Sequence, residues 1–140
     1  PKFYITAERD SLSAPLDKIQ IIKGWTAENG KINEVVYDVI CSDDREINNR
    51  NNKCKETKAS VNFENCSFDE NYGSDRLEVI WTDTEYTPDQ NTFYYARAIE
   101  NPTCRWSTYD SIRIDEKPAK NYPKIMREMA WSSPIWIKNK

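Results

Sequence analysis

Acid–base and nucleophilic chemistry needs particular side chains, and this chain holds only some of them. It has no histidine, which removes Ser-His-Asp and Cys-His nucleophile systems and most zinc sites. Its three glycines form no phosphate-cradling loop. Carboxylates, arginines and four cysteines remain. Asp83, Glu85 and Asp89 cluster in one turn, and carboxylates at such spacing can bind calcium. They lack the glycine and the regular spacing of an EF-hand loop, so a solvated acidic turn is the expectation. Asp43 and Asp44, beside Cys41, read the same way. A glycosidase needs a matched pair of carboxyls, and among 23 acidic residues no pair stands out. No catalytic residue, metal site or cofactor is therefore expected in this chain.

Arg97 lies mid-strand among aromatics. Stacked on a ring or paired with a carboxylate, it would stabilise a sheet; the sharper alternative is an anchor for an anion or a sugar acid. Arg105 and Trp106 sit in a loop, where binding residues tend to lie. With Tyr109, Trp131 and Trp136 they make up the candidate interface or binding set.

Cys41, Cys54, Cys66 and Cys104 are even in number and contain no CxxC pair, so zinc ribbons and thioredoxin-type motifs are out. Two disulfides in an exported protein are expected, in the periplasm or outside the cell. Four reduced, buried cysteines are the alternative. Of the three possible connectivities, Cys41–Cys54 and Cys66–Cys104 fit the elements best. Cys41 ends a strand and Cys54 closes the loop after it; Cys66 and Cys104 each follow a strand. Asn65-Cys66-Ser67 also fits a glycosylation sequon.

The elements that must position these groups are mostly strands. Lys2–Glu8 alternates, with Phe3, Ile5 and Ala7 on one face. Asp17–Trp25 sets Ile19, Ile21 and Trp25 on one face and Ile22 on the other. Asn29-Gly30 then signals a tight hairpin with both turn residues at positive φ, and Ile32–Cys41 returns. Residues 42–58 hold Asn48, Asn49, Asn51 and Asn52 among many charges and read as a long solvated loop. Val61 and Phe63 suggest a short strand. Arg76–Thr82 is a strand with Leu77, Val79 and Trp81 on one face. Phe93–Glu100, rich in aromatics and β-branched residues, is a central strand covered on two sides, and Pro102 ends it. Ser107–Ile112 reads as a short helix capped by Ser107 with Asp110 at N3. Residues 118–123 are a breaker-rich link, and Pro123–Met129 suggests a second short helix. Trp131–Ile137 is an apolar segment that Pro134 confines to an edge or bulge.

A chain of 140 residues is one domain by length, long enough to bury a core. Its 20 basic against 23 acidic residues give no electrostatic case for nucleic acid, and no apolar run approaches a membrane span. The chain begins at Pro1 without a methionine and so reads as a piece of a longer protein. Six or seven short strands with turn signals between them predict an all-β, mainly antiparallel sandwich, immunoglobulin-like in general shape, with one or two short helices near the C-terminus.

Three blocks resemble the C-terminal region of a bacterial family, domain of unknown function 3604. They are Leu16-Asp-Lys-Ile-Gln-Ile-Ile-Lys-Gly-Trp25 with Val36-Tyr-Asp-Val39; Phe93-Tyr-Tyr-Ala-Arg97 with Asn101-Pro-Thr-Cys-Arg-Trp-Ser-Thr-Tyr-Asp110; and Arg127-Glu-Met-Ala-Trp-Ser-Ser-Pro-Ile-Trp136. The resemblance implies the tail of a longer, exported protein whose N-terminal part is similar to PHP-type metal-dependent hydrolases. The histidine-rich motifs of that part are absent here, so no catalytic or metal residue carries over. The expected role is a non-catalytic domain that supports the catalytic part or walls its cleft. The alternatives are a module binding carbohydrate or another extracellular ligand through loop aromatics such as Trp106, and an enzyme acting through carboxylates. The expected partner is the N-terminal domain of the same chain.

Overall fold

The computed structural model describes residues 1–117 and 120–138. Chain order runs β1 (Lys2–Glu8), β2 (Leu16–Thr26), β3 (Ile32–Cys41), β4 (Ile47–Asn48), β5 (Lys53–Cys54), β6 (Arg76–Thr82), β7 (Thr92–Glu100), β8 (Thr103–Cys104), α1 (Trp106–Arg113), β9 (Ile125–Met126), β10 (Met129–Trp131) and β11 (Ile135–Ile137). The sheets are antiparallel, and α1 is the one helix among the described residues.

The wider sheet has the order β10-β7-β2-β3, with β11 on the same edge of β7 as β10. A narrower sheet of β1 and β6 lies across it. Leu16, Ile19, Ile21, Val39, Leu77 and Tyr94 are buried between the two, flanked by Phe3, Ile5, Tyr37, Val79 and Trp81. Period-two alternation places Phe3, Ile5 and Ala7 against this core and leaves Tyr4 and Thr6 outside. Each fully buried isoleucine contributes about 1.5–3 kcal/mol of burial. Ile22 is buried on the opposite face of the wider sheet, so β2 is covered on both sides.

Several local readings change. The β2–β3 connection is a three-residue loop, not a two-residue one: Gly30 N–H donates to Ala27 O, Ala27 N–H donates to Lys31 O, and only Gly30 takes a positive φ, 78°. That is a type I turn closed by a left-handed glycine. The Asn-rich segment is not a free loop. It forms the β4–β5 hairpin, with Asn48 and Asn51 side chains accepting backbone N–H bonds two residues on, the usual way asparagine builds turns. Val61 makes a single bridge to Phe68 in place of a strand. The helix is capped two residues earlier than expected, by Arg105 in place of Ser107 and with no side-chain cap bond. Arg105 N–H instead donates to Lys124 O, and Thr108 Oγ1 donates to the same carbonyl. The second helix expected over Pro123–Met129 is absent: Ile125–Met126 pairs with β8, and Met129 begins β10. Pairing with existing strands outweighs the weak helix signal of a leading proline. Part of the expected link at residues 118–123, namely residues 118 and 119, lies outside the described residues.

The tail forms edge strands. β10 and β11 pair with two ends of β7, and Pro134 falls in the break between them. Ser132 bridges that break: its N–H donates to Ala96 O and its Oγ accepts Ala96 N–H.

Candidate functional site

Three carboxylates are deeply buried, and each already has partners. Asp83 sits at the end of β6 in an ion pair with Lys23 Nζ at 2.6 Å, both side chains nearly sealed from solvent. It also accepts Tyr94 OH at 2.6 Å and Glu85 N–H at 2.9 Å. Burial works to raise the Asp83 carboxyl, but the bonds from Lys23, Tyr94 and the Glu85 amide outweigh it and hold it below the usual carboxylate range. Burial, with the bond to Asp83, pushes the Tyr94 phenol well above its ordinary value. Asp83 is thus a core ion pair rather than part of a solvated acidic turn; its neighbour Glu85 accepts Tyr37 OH at 2.8 Å.

Asp38 is the second. It accepts Lys18 Nζ at 2.8 Å, Gln20 Nε2 at 2.5 Å and Cys54 N–H at 2.8 Å. Burial opposes its charge, and these three bonds again leave the carboxyl lowered. Arg97 closes the chain: its Nε and Nη2 donate to Gln20 Oε1 at 2.9 and 2.6 Å. Arg97 therefore spans β7 to β2 through an amide, with no direct carboxylate partner among the described residues. Asp17, in the bulge at the start of β2, is the third. It holds Arg45 at 2.5 Å and Arg127 through its other oxygen, tying the Asn-rich segment and the tail to one point. Among the described residues no cluster of three or more potential ligands stands free to hold a metal ion.

The cysteines form two disulfides, Cys41–Cys54 and Cys66–Cys104, the expected pairing. The first fastens the β4–β5 hairpin to the end of β3, where Asp38 N–H also donates to Asn52 O. In the sequon, Asn65 Oδ1 accepts Ser67 N–H.

The face of the wider sheet turned away from β1 and β6 carries an aromatic strip. The Phe93 and Tyr95 rings are stacked, their planes within 4° of parallel and their centroids 6.3 Å apart. Trp136, opposite Phe93 in the register, lies 5.0 Å from its ring. Gly24 makes this possible, because a Cβ there would stand 2.3 Å from the Phe93 ring. Trp131, opposite Arg97, continues the strip. Trp131 and Trp136 are 58% and 63% exposed. The structure thus gathers Arg97, Trp131 and Trp136 from the candidate set onto one face.

Arg105, Trp106 and Tyr109 belong elsewhere. Trp106 is 65% exposed and lines a shallow cleft with Leu12, Met126 and Tyr109. The Arg105 guanidinium lies over the rings of Trp106 and Tyr122, and Tyr109 OH donates to Cys66 O. No ring contact or cavity joins Trp106 to Trp131 or Trp136 among the described residues. A separate apolar cleft of about 290 Å³ opens between β1 and the β7–β11 edge, lined by Phe3, Ile5, Ile21, Tyr94, Ala96 and Ile135.

Two features escaped the sequence reading. The Lys23–Asp83 pair could have been found, since alternation puts Lys23 on the core face with Ile19 and Ile21, where a cation needs a partner. The Asp17–Arg45–Arg127 node leaves no local signal, because its members are far apart in the chain.

A family model described as "Protein of unknown function (DUF3604)" matches residues 1–139. No curated protein and no solved structure matches the chain.

Proposed function

The chain belongs to the DUF3604 family of proteins of unknown function, and from that premise we propose that it is a non-catalytic, disulfide-bonded β-domain that braces a metal-dependent hydrolase part of the same protein. The supporting observation is the exposed strip of Trp131 and Trp136 on one face of the wider sheet. Large apolar groups left in solvent along one face mark contact surfaces. The buried carboxylates support the non-catalytic part of the reading, because all three are engaged in ion pairs and hydrogen bonds. The two disulfides are consistent with an oxidising, extracellular compartment.

The test compares this chain with the longer protein that carries it. Trp136→Glu is expected to leave the melting temperature of the 140-residue chain almost unchanged and to lower that of the longer protein. A loss of several kcal/mol in the short chain, on the order of a large core truncation, would assign Trp136 to this domain's own stability and overturn the bracing role. The short chain, assayed on ester and phosphoester substrates with and without zinc or manganese, should give no turnover above buffer.

The cluster of Phe93, Tyr95 and the exposed Trp136 on one face favours a second reading, a carbohydrate-binding face. Flat aromatic surfaces stack on the apolar faces of sugar rings. Binding of soluble oligosaccharides that disappears in Trp136→Ala, with the fold intact, would select it over bracing.

A further inference from the structure

Among the described residues, one edge of β1 in the narrower sheet has no strand partner. Pro1 O accepts Asp83 N–H, and Arg9 N–H donates to Asp75 O. The odd-numbered residues between them therefore exchange backbone bonds with β6. The N–H and C=O groups of Lys2, Tyr4, Thr6 and Glu8 point the other way. No described strand pairs with that edge, and Tyr4 is 60% exposed there. Phe3, Ile5 and Ala7 are only half-buried, although they pack against the core.

We propose that this edge pairs with β1 of a second copy of the chain, antiparallel about a two-fold axis at Ile5. The sequence of β1 matches itself in this register. Lys2 falls opposite the partner's Glu8, and Glu8 opposite the partner's Lys2. Tyr4 faces the partner's Thr6. On the inner side Phe3 faces the partner's Ala7, large against small, and Ile5 faces its own copy. A shift by two residues would set Phe3 against the partner's Ile5 or the partner's Arg9, and would break the match of Lys2 with Glu8. The even-numbered residues are the ones whose backbone groups point outward, so the register that matches charge and size also matches hydrogen-bonding parity. Four such pairs make about eight backbone bonds, two per pair. Glu8 keeps Arg76 on its other side, at 3.5 Å within the chain, so the row alternates in sign. The result is a four-stranded sheet across two molecules, with a second apolar row beside the mouth of the β1–β7 cleft. Unpaired, flat edge strands invite this kind of contact, and a self-matched strand closes as a symmetric dimer.

Sedimentation velocity on the 140-residue chain tests the pairing. The unmodified chain should form a two-chain species. Lys2→Glu and Glu8→Lys each set like charges opposite one another in both rows, and each should weaken the dimer at least about tenfold. An equimolar mixture of the two variants restores opposite charges in both rows and should recover the dimer. Thr6→Pro removes an N–H that faces only the open edge, so it should abolish the dimer; the charge variants, at exposed side chains, keep the test valid if that proline disturbs the strand. Trp136→Glu, which probes bracing, should leave the dimer intact. A monomer at about 1 mM chain, where a millimolar Kd would show, overturns the proposal. So does a dimer indifferent to both charge reversals, a mixture no tighter than either variant alone, or a dimer lost in Trp136→Glu.

Discussion

Along the outer edge of β3, the Asp38 N–H is taken by Asn52 and the Asp38 carboxylate by Cys54 N–H, while along β1 the outward groups of Tyr4 and Thr6 meet no described strand. The wider sheet is guarded at its other edge as well, by β10 and β11. Its guards are held by a disulfide, by the Asp17 node and by Ser132 at the strand break. Among the described residues, the open edge of β1 has only the charges of Lys2 and Glu8 at its ends. Edge protection here comes from short segments of two or three residues, fastened by covalent, ionic and hydrogen bonds. Removing a fastening should cost stability within one molecule. Changing the bare edge should cost almost none and should show only between molecules.

The largest test of that contrast lies under the wider sheet. Asp83→Ala strands Lys23 in the core without its counter-charge, and should cost about 3–5 kcal/mol, read by denaturant unfolding. Cys41→Ser with Cys54→Ser releases the β4–β5 guard, and the lost loop constraint should cost about 2–4 kcal/mol, read the same way under non-reducing conditions. Acid comes next. Asp38 and Asp83 titrate below the usual carboxylate range in the folded chain, so the unfolded chain takes up protons first as pH falls. Their stabilisation is complete above an unfolded pKa of about 3.9 and is lost as pH drops through the lower folded values. Thermal midpoints should therefore decline below about pH 4, and Asp38→Asn should flatten that decline; an unchanged slope would remove Asp38 from the account. The smallest effect belongs to the bare edge: Tyr4→Lys should change unfolding free energy by no more than about 0.5 kcal/mol. A larger loss would mean that β1 is guarded by something other than its end charges.

Much of the frame was legible because alternation is a strong signal. Phe3, Ile5 and Ala7, and Leu77, Val79 and Trp81, each announce a strand and its core face, and the long run around Tyr94 announces a strand without saying which face meets the core. The disulfide pairing was legible because each cysteine stands at a strand end or closes a loop. What stayed hidden depends on contacts between distant residues. Nothing near Ile125 or Met126 says that β8 will pair with them, and a leading proline then misdirects the reading toward a helix. The asparagines of residues 48–52 read as solvated until Asp38 supplies them with a place to dock. For the candidate set, a place beyond the last clear strand grouped Trp106 with Trp136, whereas the cross-strand partners of Trp131 and Trp136 on β7 decide their face.

The Cys66–Cys104 bond closes a ring of chain across a sequence separation of 38 residues. That ring contains both β6 and β7, one strand from each sheet, together with the turn that carries Asp83 and Glu85. A protease that cuts the exposed connection around residues 84–91 would leave two pieces still tied by the disulfide and still clamped by the pairing of β2 with β7. The domain is therefore built to survive a nick there as one body: a single band before reduction and two after it.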